Sequence, residues 1–143
     1  MSDPLYRTDL LRLAADAIGA GRLDHPDGSA TAHNPACGDR VTVEVRLEDG
    51  LIAALAHQTQ ACVLTQASAA LLAAHATGLD PSALKALADD IVAMLSGGAM
   101  PAAPFQDYAV FDAVAKHKGR HKCVLLPLEA ALGAVSKAAE PGA

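Results

Sequence analysis

Four side chains in this sequence have the types and placement to do chemistry together: Cys37, Asp39, Cys62 and Cys123. Cys37 sits in Asn34-Pro35-Ala36-Cys37-Gly38-Asp39, a turn-forming stretch that leads directly into a strand pattern, so its sulfur is expected at the end of a sheet. Asp39, two residues on, can reach the same side. Cys62 stands where a strand pattern gives way to a helix pattern, and unpaired N–H groups at a helix start favour a thiolate. Cys123 opens another apolar helical run, with Pro127 tolerable in its first turn.

A single free cysteine in an alanine-rich chain is ordinarily a small core hydrophobe. Three at the edges of elements, one of them inside a Cys-Gly-Asp turn, point instead to a shared site. Three thiolates and one carboxylate satisfy the four-ligand preference of Zn2+, with the carboxylate as the weaker, displaceable member. The same set could hold a [2Fe–2S] cluster. Spacing alone does not separate the two.

Around Cys123 lie Lys116, His117, Lys118, Arg120, His121 and Lys122, the densest positive stretch in an otherwise acidic chain. Such a field is expected to lower the thiol pKa and attract anionic sulfur species or an acidic partner. Arg120 and Lys122 stand closest and are the supporting candidates, whereas Lys116 and Lys118 also suit a solvated basic loop. Of the histidines, His57 and His75 read as structural, and His33 and His25 carry no firm role.

These residues need elements to position them. Leu5, Leu10, Leu13, Ala17 and Ile18 recur at helical spacing from Asp3-Pro4 to about Gly19. The polar stretch from Arg22 to Pro35 reads as a loop. Val41, Val43, Val45 and Leu47 alternate with polar residues as in a half-buried strand, and Asp49-Gly50 turns the chain back into a partner strand from Leu51 to His57. Helix spacing returns from Cys62 to Gly78. Asp80-Pro81 then caps a helix carrying Leu84, Leu87, Ile91, Met94 and Leu95, closed by Gly97-Gly98. Phe105, Tyr108, Phe111 and Val114 suggest a short helix, and Leu125, Leu128, Leu132 and Val135 a last one with a frayed end beyond Ala138.

The bulk properties narrow the function. The 143 residues fit one domain, 1–143, with a core large enough to fold without metal. Scarce aromatics and abundant small apolar residues favour a mostly helical fold. A net charge of −5 argues against nucleic-acid binding, and no apolar run reaches the roughly 18 residues of a membrane span. Three widely spaced cysteines, with no signal-peptide pattern, read as reduced thiols in the cytoplasm.

Asn34-Pro-Ala-Cys-Gly-Asp39, the hairpin, Cys62 with Ala67-Ser68 beyond it, and Arg120 to Leu126 around Cys123 resemble the U-type iron-sulfur assembly proteins. These are the IscU and SufU proteins and the N-terminal domain of NifU. The resemblance implies an α+β fold in which a three-stranded antiparallel sheet is covered by about five helices. It implies that Cys37, Asp39, Cys62 and Cys123 bind zinc or a nascent cluster, and that Cys123 accepts persulfide sulfur from a cysteine desulfurase. It further implies contact with other iron-sulfur assembly proteins.

Two features resemble the SufU branch of zinc-dependent sulfur acceptors, or sulfurtransferases: the 61 positions from Cys62 to Cys123, and Arg-His-Lys before the last cysteine. Departures are Ala61 where the family has Gly, the lack of an aromatic before it, and the missing His-Tyr-x-x-Pro stretch. A non-catalytic adaptor domain that docks on assembly partners is the alternative. A metal-free thiol redox protein is disfavoured, because there is no C-x-x-C pair.

Overall fold

The computed structural model describes residues 8–36 and 38–139. Its elements run in the order α1 (Thr8–Asp16), β1 (Gly28–Asn34), β2 (Asp39–Glu48), β3 (Leu51–Gln60), α2 (Val63–Ala76) and α3 (Pro81–Leu95). A 3-10 segment (Gln106–Lys116), a 3-10 turn (Lys118–Arg120) and α4 (His121–Ala138) complete the chain. The sheet is antiparallel with the order β1-β2-β3, and helices cover it, giving the expected α+β fold.

The β2–β3 hairpin follows from local chemistry. Asp49 and Gly50 adopt φ of 55° and 79°, the pair of left-handed conformations whose twist matches the flanking strands in a two-residue turn. Val41, Val43 and Val45 are fully buried. β3 extends to Gln60, three residues past the expected end at His57, so the strand delivers the chain directly to Cys62.

β1 corrects the expectation of a loop over Arg22 to Pro35. It pairs with β2 from Gly28 opposite Val45 to Asn34 opposite Asp39. The alternation is present, but it is written in small residues because α4 lies directly upon the strand. A Cβ on Gly28 would collide with the Ala134 carbonyl, and one on Gly133 would come within 2.9 Å of Ala30 Cβ. Large apolar residues, the usual strand signal, would have pushed the helix away.

The helices close one core. Leu64, Leu72, Leu84, Ile91, Phe111 and Leu126 are all buried within it. Asp80 caps α3 by accepting from Ala83 N–H at 2.7 Å, with Pro81 as the first helical residue. Residues 106–116 form a 3-10 helix rather than an α-helix, burying Tyr108, Val110, Phe111 and Val114.

α4 starts at His121, two residues before the apolar run at Cys123. Pro127 therefore lies inside the helix rather than in its first turn. A proline there supplies no N–H to the Cys123 carbonyl and crowds it. In the adjoining position, the buried Ser68 hydroxyl of α2 donates to the Val124 carbonyl at 2.6 Å. The bond fastens α4 to α2 one residue from Cys123. No helix among the described residues is long and apolar enough to cross a membrane.

Candidate metal centre

Three elements converge at one end of the sheet. Asp39 is the first residue of β2, Cys62 is the cap residue immediately before α2, and Cys123 lies in the first turn of α4. Their donor atoms all lie within 4.8 Å of one another. Cys123 Sγ is 3.9 Å from Asp39 Oδ2. Cys37 lies outside the described residues.

Around it the motif is ordered by its own turn chemistry. Asn34 Oδ1 accepts from the Ala36 N–H at 3.2 Å, and the Asn34 carbonyl accepts from the Gly38 N–H at 2.8 Å. Gly38 has φ of 74°, a conformation a side chain would strain. Asn34 and Asp39 then face each other across the β1–β2 pair, which sets the start of β2 at the aspartate.

Cys123 is buried and Cys62 half-buried. The two thiols divide their protons unequally. As a free thiol, Cys62 is pulled down to about 5, first by a hydrogen bond from Cys123 and then by Thr65, against the opposing effects of burial and Asp39. Cys123 is pushed far up, chiefly by that same bond to Cys62, then by burial and by the charges of Cys62 and Asp39. Arg120 opposes this, its Nη1 lying 4.0 Å from the sulfur, but it is outweighed.

The expectation that the basic stretch lowers the Cys123 pKa is thus reversed. Lys122 is exposed and is not among the groups that shift this thiol, and Lys116, His117 and Lys118 are exposed as well. Nearby anions acting through a buried site overcome one half-buried guanidinium.

Two hydroxyls missing from the sequence-based site belong to its surroundings. Thr65 Oγ1 lies 3.5 Å from Cys62 Sγ and 3.4 Å from Asp39 Oδ2, and Ser68 holds α4 as described. Both are completely buried on α2. The available signal was a pair of polar residues, three apart, on the apolar face that begins at Cys62.

The histidines take structural places. Buried His57 shares hydrogen bonds with Thr59 Oγ1 through Nδ1 and with the Ile18 carbonyl through Nε2, both at 2.9 Å, and burial lowers its pKa. His75 pairs with Asp107 at 2.9 Å and packs edge-on against Phe105. His33 is exposed on β1.

The donor set can be tested against a metal. A sulfur and a carboxylate oxygen held tetrahedrally at about 2.3 and 2.1 Å from zinc stand roughly 3.6 Å apart. The 3.9 Å between Cys123 and Asp39 comes close to that, and all three donor atoms lie within 4.8 Å of one another. Two sulfurs and a carboxylate suit zinc or iron better than magnesium or calcium, which prefer oxygen.

A three-stranded antiparallel sheet with helices, carrying thiols and a carboxylate at one end, defines the class, and residues 5–124 match the NifU-like N terminal domain family. The chain belongs to that family. It is 33% identical to the NifU-like protein (N-terminal) from Brucella abortus, whose crystal structure superposes with a TM-score of 0.92 over 98% of each chain. The iron-sulfur cluster assembly scaffold protein IscU of Thermotoga maritima is 23% identical over 137 residues, 96% of each chain. A putative iron-sulfur cluster assembly scaffold protein for the SUF system from Fervidobacterium islandicum shares the fold, with a TM-score of 0.84 at 20% identity.

Proposed function

We propose that this protein is an iron-sulfur cluster assembly protein that holds zinc or a nascent cluster through Cys37, Asp39, Cys62 and Cys123. The observation that carries the reading is the convergence of Asp39, Cys62 and Cys123 from three separate elements within 4.8 Å, in a chain of the NifU-like family. The Thermotoga relative named as a scaffold supports the same assignment. Zinc, when bound, fixes the thiolates in their ionised form. Asp39, a hard ligand among soft ones, is the member that yields.

Sulfur enters from a cysteine desulfurase in the cytoplasm. A thiolate of this chain attacks the outer sulfur of the desulfurase persulfide; the S–S bond there breaks, the desulfurase cysteine leaves as thiolate, and the new persulfide stays here. The family resemblance assigns that role to Cys123, with Arg120 beside it. Arg-His-Lys before Cys123 and the long interval from Cys62 favour a SufU-like sulfur acceptor.

A second reading is favoured by one observation: Cys62, not Cys123, is the more exposed thiol and the one that ionises readily. In metal-free protein Cys62 is then the first acceptor. Incubation with a desulfurase and cysteine, followed by mass mapping of both peptides, separates the two. Sulfur on neither cysteine refutes the acceptor role and leaves the adaptor reading. Failure to bind either zinc or iron near stoichiometrically under anaerobic conditions refutes the metal centre itself.

A further inference from the structure

We propose that Thr65 is a positioning residue of this centre, its one hydroxyl proton shared between the Asp39 carboxylate and the Cys62 sulfur. The proposal rests on the reading of the centre as metal-binding. Thr65 is completely buried, three residues beyond Cys62 on α2. Its Oγ1 lies 3.4 Å from Asp39 Oδ2 and 3.5 Å from Cys62 Sγ. The first distance is long for an O–H···O bond, the geometry of a hydroxyl standing between two acceptors rather than committed to one.

Packing alone does not call for this residue. Valine has the same branched shape, and a buried hydroxyl costs free energy unless it is hydrogen-bonded. Leu64, Ala67 and Leu71 of the same helix are apolar and buried. What Thr65 adds is one donor placed where two anionic ligands from different elements meet.

That count decides the behaviour. An ionised carboxylate and a thiolate only accept, and a hydroxyl has one proton to give. Donated to Asp39, the proton orients the carboxylate toward the sulfurs and holds it there as a ligand. When Asp39 lets go, the same bond keeps its charge from being left buried and unpaired. Thr65 thereby keeps Asp39 aimed when it is bound and hydrogen-bonded when it is released, with Cys62 as the competing acceptor of the same proton.

The test measures zinc affinity by competition with a chromophoric chelator at fixed pH. Loss of a hydrogen-bond partner behind a metal ligand lowers affinity by about 10–100-fold, and that loss is expected for Thr65→Val. Thr65→Ser, which keeps the hydroxyl, should stay within about threefold of the starting protein. In an Asp39→Ala background the loss from Thr65→Val should shrink, because the two residues act together.

Unchanged affinity in Thr65→Val overturns the proposal, as does an equal loss in both backgrounds. Thermal unfolding of the chelator-treated variants checks the fold. If Thr65→Val does not fold, Thr65→Ser decides: a tenfold loss there means that the methyl packing matters and the hydroxyl does not. Failure of the unaltered protein to bind zinc overturns the metal reading together with this role; binding by it with no change in Thr65→Val overturns the role alone.

Discussion

Replacing Cys123 with alanine should return Cys62 to the behaviour of an ordinary thiol. The hydrogen bond from Cys123 is the largest cause drawing Cys62 down from 9.0 to about 5. At pH 7 a group of pKa about 5 is ~99% ionised, whereas one at 9.0 is ~1% ionised. The absolute alkylation rate is a poor readout of this difference. Thiolate nucleophilicity falls by about 0.4–0.5 log units per pKa unit, so a stronger acid offsets much of its larger thiolate fraction. The midpoint of the pH profile is the readout.

For chelator-treated, reduced protein, alkylation of the Cys62 peptide should rise through a midpoint near 5 and be flat above it. In Cys123→Ala the midpoint should climb by several units, limited only by the smaller contribution of Thr65. A midpoint above about 8 in the unaltered protein, or no movement in the variant, would refute the unequal division of protons between the thiols. The sign extends to folding. A depressed thiol pKa contributes stability above the unfolded value, which is lost as pH falls, so in the metal-free protein this contribution should disappear between about 9.0 and 5.

Ser68→Ala should remove the hydroxyl bond that the Val124 carbonyl accepts in addition to its helical N–H, costing about 0.5–1.5 kcal/mol. For a chain of this size that is a drop of roughly 2–6 °C in thermal unfolding, and no drop would mean that the α2–α4 bond is dispensable. Gly28→Ala should drive β1 and α4 apart and cost about 1–3 kcal/mol in urea unfolding, whereas Ser29→Ala on the exposed face should be nearly silent. Zinc at about a thousand times its dissociation constant should stabilise the fold by about 4 kcal/mol. Cys62→Ala should sharply reduce that increment, and an unaltered increment would remove Cys62 from the ligand set.

Much of the site was legible because its signals are local. Asn34 to Asp39 carry the turn, the Asp49-Gly50 pair fixes the hairpin, and Asp80-Pro81 caps α3, each through bonds among residues close in the chain. Cys62 could be placed at a helix start for the same reason. β1 was not legible as a strand, since its residues are chosen for the close approach of α4, an element about a hundred positions later.

The sequence by itself determined which side chains could serve as donors, their order along the chain and the elements that carry Asp39, Cys62 and Cys123. Tertiary structure alone decided their electrostatics. Whether Cys123 is acidified by Arg120 or held protonated by Cys62 depends on distances across three elements and on burial, and charge interactions change sign of outcome over a few ångströms in a low-dielectric site. Thr65 and Ser68 gained their roles in the same way: two polar residues on a helix face become meaningful only when Asp39 and Val124 are brought against them.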